Sequence, residues 1–310
     1  MKRVLITFLI MPCAWSFAFA QMTYMRGGNM AAQRAPKIID TAILQVVYRA
    51  YSVIDSLAPD RVAQDDMILQ IGKNRSSKFF TDTRVRDSIM QANVSRMQAA
   101  AASGSAPVFV QSQSVMQGGP AGSGNQSIVF KNWPAGSVTV TDRVMMDSYV
   151  YTEPANEIRW EILPDTDVIL SYTCQKAVTT FRGRVYEAWF APDIPINEGP
   201  WKFGGLPGLI LKVSDTRQHY VFECIALEQT PTQMEYADLD YLKTNRRDLA
   251  RVKRKFHEDP MAAVESMRAS APTGANVRMT VRSSDGSSMD ENEMRNRLRN
   301  RAYNPIELDY

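Results

Sequence analysis

The residues best suited to binding chemistry surround a stretch dense in glycine and proline, residues 199–213 (GPWKFGGLPGLILKV). Glycine permits backbone angles that other residues avoid and proline fixes φ, so this density predicts one particular loop shape that leads into a buried strand. Trp201, Lys202 and Phe203 form an aromatic pair with a cation on that loop, a set typical of a recognition surface. We therefore predict a ligand-binding set that comprises Lys176, Arg182, Arg184, Glu198, Trp201, Lys202, Gly205, Pro207 and Gly208.

The same loop has a simpler interpretation. Trp201 and Phe203 could fill the core while Lys202 extends its charged end to solvent. The dipeptide Pro207-Gly208 fits the centre of a type II turn, in which glycine supplies the positive φ. The cations that precede the loop could still donate hydrogen bonds to an anion. The residues alone leave both roles open.

Residues in catalytic arrangements are few. The two histidines, His219 and His257, do not stand in a HExxH spacing, and the chain has no GxSxG motif. Asp193 and Glu198 could act as an acid/base pair, although a hydrogen bond that stabilises a turn is the simpler role for Glu198. We predict no catalytic residues, no metal ion and no cofactor.

Two cysteines, Cys174 and Cys224, follow the N-terminal segment, which itself holds Cys13. An even pair in an oxidising compartment favours a disulfide, which would close a loop of about 50 residues and stabilise the fold by roughly 4 kcal/mol. The alternative is a pair of buried free thiols, which behave as small apolar groups. We predict the disulfide.

Short runs of alternating apolar and polar residues indicate β-strands that must position these side chains. Their spacing of about 8 to 12 residues favours an antiparallel arrangement over βαβ units. We predict an α+β fold, mainly β, with an antiparallel open curved sheet or half-barrel and covering helices. The predicted strands are 43–54, 67–72, 76–81, 128–131, 137–142, 148–153, 158–163, 168–176, 185–190, 209–214 and 220–227.

The N-terminus is typical of a secretory signal, with basic Lys2 and Arg3, an apolar run at 4–11 and a small-residue cleavage site at 18–20. We predict a signal peptide at about 1–20, a periplasmic or secreted mature chain and no transmembrane segment. Without the signal, the chain loses two of its 36 basic residues and keeps 33 acidic ones. This near balance argues against nucleic acid as a partner.

The remaining segments differ in composition. We predict a flexible leader at 21–37, a β-rich domain at 38–232 and a helical, basic C-terminal extension at 233–310. Residues 102–126, rich in Ala, Ser, Gly and Gln, predict a low-complexity insert in the β-rich domain. Helical patterns lie at 82–101, 236–257, 260–270 and 290–301.

Residues 171–214 (SYTCQKAVTTFRGRVYEAWFAPDIPINEGPWKFGGLPGLILKVS) resemble the signature of the GLPGLI family of secreted Gram-negative proteins. MILQIG with SSKFF near residue 67 and the closing NPIEL are similar to that family as well. The resemblance covers most of the mature chain apart from the insert. It implies secretion, but it brings no catalytic residues.

These observations favour a non-enzymatic cell-envelope protein that binds an apolar ligand or an outer-membrane partner. An open sheet could hold a hydrophobic ligand, as lipoprotein-carrier half-barrels do, although that is an analogy of fold alone. Two other functions stay open: a periplasmic hydrolase that uses carboxylates near Glu198, and a structural accessory of an outer-membrane assembly or secretion complex.

Overall fold

The computed structural model describes residues 34–83, 127–144, 147–155, 158–229, 231–259 and 302–309, together with 262, 265, 281–282 and 288–289. Ala35–Tyr310 is a compact unit, separate from Met1–Arg34. Several predicted segments lie outside the described residues: the signal peptide, most of the leader, nearly all of the helix at 82–101, the insert at 102–126 and the helix at 290–301.

The described residues are mostly in strands. The strands are β1 (Lys37–Val53), β2 (Val62–Gly72), β3 (Ser77–Thr81), β4 (Ile128–Lys131), β5 (Ser137–Val144), β6 (Asp147–Pro154), β7 (Glu161–Ile169), β8 (Tyr172–Phe181), β9 (Arg184–Ala191), β10 (Leu209–Asp215), β11 (Tyr220–Glu228), β12 (Thr232–Tyr236), β13 (Leu242–Lys243), β14 (Val281–Arg282) and β15 (Ser288–Met289). A helix, α1 (Arg246–Glu258), follows β13.

Hydrogen bonds join β1 to β13 into one open sheet in the order β13-β6-β5-β4-β3-β2-β1-β11-β10-β9-β8-β7, with β12 paired to β1. Neighbours are antiparallel except that β13 lies parallel to β6. Helix α1 packs on β5 and β6. The predicted α+β class, mainly β with an open sheet, is confirmed. None of the helices in the described part of the chain is long and apolar enough to cross a membrane.

The two faces of the sheet differ in chemistry. Along β9 the buried residues alternate, so that Tyr186, Ala188 and Phe190 contribute to the core while Val185 is 46% exposed. Such alternation is typical of an antiparallel sheet with one solvated face. The solvated face carries cross-strand ion pairs, namely Arg49–Asp66 (3.0 Å), Lys176–Glu187 (3.1 Å) and Lys212–Glu223 (3.6 Å).

Two predicted elements have other boundaries in the structure. A single strand at 168–176 is wrong, because Leu170 and Ser171 have φ of 49° and 71° and form the turn of the β7–β8 hairpin. Positive φ at both central residues is the geometry of a type I′ turn, which usually carries Asn-Gly. The helix predicted from residue 236 begins at Arg246, where the Asn245 side chain accepts a hydrogen bond from the Asp248 amide at 2.9 Å.

The predicted disulfide is wrong in this structure, where Cys174 and Cys224 are buried free thiols. The two residues lie on β8 and β11, with β9 and β10 between them. Each thiol instead donates a hydrogen bond to a carbonyl oxygen of its own strand, Cys174 to Tyr172 and Cys224 to Ala226, both at 3.6 Å. Burial raises the pKa of Cys174, and it raises that of Cys224 to about 12.

The chain returns to the sheet through residues 302–309, termed here the C-terminal strap. Asn304 donates its side-chain amide to the Val53 carbonyl oxygen of β1 at 2.6 Å. Arg184 of β9 donates to the Asn304 side-chain oxygen at 2.7 Å, and Tyr220 of β11 donates to the Asn304 carbonyl oxygen at 2.5 Å. The strap therefore joins three strands that are distant in sequence.

Candidate functional site

The aromatic residues of the predicted ligand-binding loop lie in the core. Trp201 is 7% exposed and Phe203 is 0% exposed. The centre of the Phe203 ring lies 4.7 Å from that of Tyr186, 5.2 Å from that of Trp201 and 6.1 Å from that of Phe181. The loop at 199–208, termed the elbow loop, therefore packs its aromatic side chains onto the buried face of the sheet.

Lys202 is buried as well, with 3% of its side chain exposed. Its amino group lies 2.7 Å from a Glu153 oxygen and 2.6 Å from a Glu307 oxygen, and it donates to the Tyr151 hydroxyl at 3.0 Å. Arg182 contributes a second cation, 3.0 Å from Glu153. The expectation that Lys202 extends its charged end to solvent is therefore wrong. A cation at this depth needs oppositely charged partners, which the carboxylates provide.

Glu198, which immediately precedes the elbow loop, helps to hold the loop in place. Lys131 of β4 lies 2.5 Å from a Glu198 oxygen and donates to the carbonyl oxygens of Gly199 and Phe203, both at 2.7 Å. Ser77 also donates to Glu198 at 3.1 Å. The carboxylate and the lysine together fix the backbone of the loop.

Gly205 and Gly208 of the elbow loop are glycine for different structural reasons. Gly205 has φ of 88° and is exposed. Gly208 has no positive φ, so the expected type II turn with its glycine in that region is wrong. A Cβ at Gly208 would overlap the Ala191 carbonyl oxygen, so close backbone packing is the reason for glycine there. Pro207 between them is exposed.

The remaining predicted cations are also bound within the protein. Arg184, which is 3% exposed, forms an ion pair with Asp215 at 3.0 Å and donates to the strap. Lys176 on the solvated face pairs with Glu187 and lies 5.7 Å from the centre of the Trp189 ring. The structure thus gives the predicted residues separate roles. Glu198 anchors the elbow loop, Lys202 and Arg182 belong to a buried ion cluster, Arg184 anchors the strap, and Lys176 forms an ion pair on the solvated face.

A different group of aromatic residues reaches the surface. The aromatic–lysine surface consists of Lys37, Lys78, Phe80, Phe130, Trp133, Tyr236 and Tyr241. Ring centres lie 4.7 Å apart for Trp133 and Tyr236, 5.4 Å for Phe130 and Tyr236, and 5.6 Å for Tyr236 and Tyr241. Phe130 is buried, whereas Trp133, Tyr236 and Tyr241 are half-buried.

Two lysines lie over these rings. The Lys37 amino group is 5.6 Å from the centre of the Trp133 ring, and that of Lys78 is 4.8 Å from Phe80 and 5.7 Å from Phe130. Lys78 also donates to the Glu235 carbonyl oxygen at 2.8 Å. Distances below about 6 Å permit cation–π attraction, which favours this arrangement of rings and amino groups.

The turn between β4 and β5 positions Trp133. Asn132 has φ of 55°, and its side-chain oxygen accepts a hydrogen bond from the Gly136 amide at 2.9 Å. The Trp133 carbonyl oxygen accepts from the Thr139 hydroxyl at 2.9 Å. The Asn132 side chain also donates to the Arg75 carbonyl oxygen at 3.2 Å. These bonds fix the turn against the neighbouring β2–β3 turn.

Asp40 of β1 holds that neighbouring turn in place. Its carboxylate accepts hydrogen bonds from the Thr41 amide (2.7 Å), the Asn74 amide and side chain (2.9 and 3.0 Å) and the Ser76 hydroxyl (2.6 Å). Burial acts to raise the pKa of Asp40, but these hydrogen bonds lower it below its ordinary value. The β2–β3 turn, which carries the exposed residue Arg75, is therefore rigid.

Ionisation at the surface is set mainly by burial. Burial, helped by Tyr241 and Asp238, raises the pKa of Tyr236 to about 12, and burial raises that of Tyr241. Burial lowers the pKa of Lys78, although Glu235 opposes the shift. Near neutral pH both tyrosines are therefore neutral phenols whose rings can pack against a ligand.

This surface is not evident from the sequence. Its members come from β1, β3, β4, the β4–β5 turn, β12 and the segment after β12, so no local spacing unites them. One signal was present: Asn132, Trp133 and Gly136 place an aromatic residue within a set of turn residues. A tryptophan in such a turn is an indication of an exposed ring.

A cleft of about 410 Å³ lies elsewhere, between the β1–β2 loop, the end of α1 and the strap. Asp55 in its wall accepts hydrogen bonds from the Leu57 and Ala302 amides at 3.1 and 2.9 Å. His257 stacks on Tyr303 at 4.0 Å between ring centres. These groups join three segments of the fold, so the cleft lies where these segments pack against one another.

Comparison with known proteins gives a short match. Residues 181–212 match a family model described as "Protein of unknown function (Porph_ging)". No curated protein matches the chain. Two solved structures, "Structure of PNGF-II in P21 space group" and "Structure of PNGF-II in C2 space group", are similar at 12% and 13% identity, with TM-scores of 0.40 and 0.39. Each match covers 68% of this chain, which spans about a third (32%) of those chains.

Proposed function

We propose that this chain is a non-enzymatic binding protein of the cell envelope and that the aromatic–lysine surface is its recognition site. The observation that carries the proposal is the half-buried pair of rings at Trp133 and Tyr236, 4.7 Å apart, with the amino group of Lys37 over the Trp133 ring. Tryptophan and tyrosine provide large contact area with few rotatable bonds, so they dominate many recognition surfaces.

The rigidity of the turns supports a binding role. Trp133 is fixed by the hydrogen bonds of Asn132 and Thr139, and the adjoining turn is fixed by Asp40. A surface that is ordered before binding loses less conformational entropy when the ligand arrives. The arrangement therefore suits reversible binding by groups already in place.

The buried charges of the elbow loop also favour binding over the hydrolase alternative. A general base must reach the proton that it removes. Glu198 is instead engaged by Lys131 and Ser77, and Asp193 is an exposed residue beside the loop. We find the carboxylate of Glu198 better explained as an anchor of the loop.

Family and compartment form part of the proposal. The family-model match at 181–212 includes the hexapeptide at 205–210, GLPGLI, which supports membership of the GLPGLI family. The proposed signal peptide at about 1–20 would deliver the mature chain to the periplasm or the exterior. We accordingly place the ligand or partner of the aromatic–lysine surface in the envelope.

Native mass spectrometry of the mature protein, purified from the envelope of its own host, tests the proposal. We expect a retained species with the wild type, loss of that species with Trp133→Ala, and retention with Trp189→Ala. Trp189 is the matched control, because it also lies beneath a lysine but packs against no other aromatic ring within the described part of the chain. Absence of any retained species, or equal retention by both variants, would contradict the proposal. A partner at fixed stoichiometry would identify a structural complex.

A further inference from the structure

We infer that the ligand of the aromatic–lysine surface is a neutral saccharide. This inference rests on the proposed function and names the ligand class for the same site. It follows from two features that occur together: a group of aromatic side chains that are only half-buried, and charged groups of both signs around them.

The rings suit the apolar face of a sugar. A pyranose presents a face of C–H groups, whose hydrogens carry slight positive charge, and aromatic faces carry negative charge. Trp133 and Tyr236 are tilted by 44° and Tyr236 and Tyr241 by 39°. The three rings pack against one another and each is only half-buried, so part of each side chain remains accessible for contact with a sugar unit.

The polar groups beside the rings suit hydroxyl groups. Each hydroxyl both donates and accepts hydrogen bonds, so a saccharide needs both kinds of partner. Lys37 is an exposed donor over Trp133, Arg75 is an exposed residue of the adjoining turn, and Glu235 supplies an exposed carboxylate beside Lys78. Asp238 adds a second acidic group near Tyr236.

The balance of charge disfavours ligands with a strong charge of their own. A site for a polyanion usually shows an excess of cations, as in proteins that bind nucleic acid. Here Lys37, Arg75 and Lys78 are accompanied by Glu235 and Asp238. A neutral ligand gains from hydrogen bonds to either sign and avoids repulsion from both.

The experiment titrates the mature protein with neutral hexasaccharides of different linkage (cellohexaose, maltohexaose and chitohexaose) and follows tryptophan fluorescence and isothermal heats. Hexagalacturonate serves as the charged probe and sorbitol as a polyol without a ring. We expect at least one neutral hexasaccharide to bind with a Kd below about 1 mM. Trp133→Ala should weaken this binding by at least about tenfold and Tyr241→Ala by about threefold, whereas Trp189→Ala should leave it unchanged.

Other outcomes overturn the inference. No binding by any neutral hexasaccharide, tighter binding of hexagalacturonate, or binding that survives both Trp133→Ala and Tyr241→Ala would each do so. Circular dichroism of each variant confirms that it is folded. If native mass spectrometry shows a retained species of another class that Trp133→Ala removes, the proposed function stands and the saccharide inference fails. If neither experiment detects a ligand, both fail.

Discussion

Lys202 is buried within the fold, where two carboxylates and a phenol surround its amino group. Glu153 and Glu307 lie within 2.7 Å of the nitrogen, and Tyr151 accepts its third hydrogen bond. Burial, together with Glu307 and Glu153, raises the pKa of Tyr151 well above its ordinary value, so this hydroxyl stays neutral. A residue that sequence alone suggests for ligand binding therefore acts in the stability of the fold.

Replacement of Lys202 tests that role. We expect Lys202→Met to lower the free energy of unfolding by about 3 kcal/mol, because Glu153 and Glu307 would lose the most deeply buried cation that contacts both of them. The matched control is Lys212→Met, since Lys212 is 34% exposed in its pair with Glu223. That control should change the free energy by less than about 1 kcal/mol. Equal effects in urea titrations would contradict the buried role.

Asp40 gives a prediction that depends on pH. Its folded-state pKa is lowered, so its stabilising effect is present above the unfolded pKa of about 4 and is lost as pH falls through the folded value. We expect Asp40→Asn to lower the free energy of unfolding by about 1 to 3 kcal/mol at pH 7. The difference from wild type should shrink at pH 3. A difference that is constant from pH 7 to pH 3 would show that the ionised form is not the stabilising one.

The elbow loop shows how one element uses glycine for two purposes. Gly205 adopts a backbone conformation that side chains disfavour, with nothing within 4 Å of a Cβ placed there. Gly208 allows the backbone of the loop to lie directly against Ala191 and Pro192. The first requirement is a matter of local conformation, and the second is one of packing between elements.

Alanine at each position separates these requirements. Gly205→Ala should lower the free energy of unfolding by about 1 to 2 kcal/mol, the usual penalty for an alanine at positive φ. Gly208→Ala should lower it by more than about 3 kcal/mol, because backbone must move to admit the methyl group. Thermal and urea unfolding of the two variants measure the difference. A milder effect at Gly208 than at Gly205 would contradict the packing explanation.

The strands could be predicted from sequence better than the turns and the site. The runs at 128–131 and 209–214 agree closely with β4 and β10, because a short apolar run between turn residues is a local property of the sequence. The turn at Leu170-Ser171 was missed because neither residue is typical of positive φ. The aromatic–lysine surface was missed because β12 must pair with β1 before Tyr236 meets Phe130. Contacts between distant strands leave no local pattern.

At the scale of the whole molecule, the C-terminal strap couples segments from the two ends of the described chain. Asn304 binds Val53 of the first strand, and Arg184 binds the strap from β9, near one edge of the sheet. Glu307 reaches both Lys202 of the elbow loop and Arg246 of α1. The strap is thus common to the sheet, the loop and the helix, and its removal should affect all three.

Asn304→Ala is the sharpest test of this coupling, because deletion of the whole strap could prevent folding. The variant removes the bonds to Val53 and Arg184, so we expect a loss of about 2 to 4 kcal/mol in the free energy of unfolding. In native-state hydrogen exchange, protection should fall both at the end of β1 and along β9, segments separated by more than 100 positions in sequence. Ser56→Ala, at an exposed contact with the strap, is the control and should leave both segments protected. If Asn304→Ala lowered protection near residue 304 alone, the strap would be a local attachment. An element that couples several strands must, when it is weakened, lower the protection of each strand that it binds.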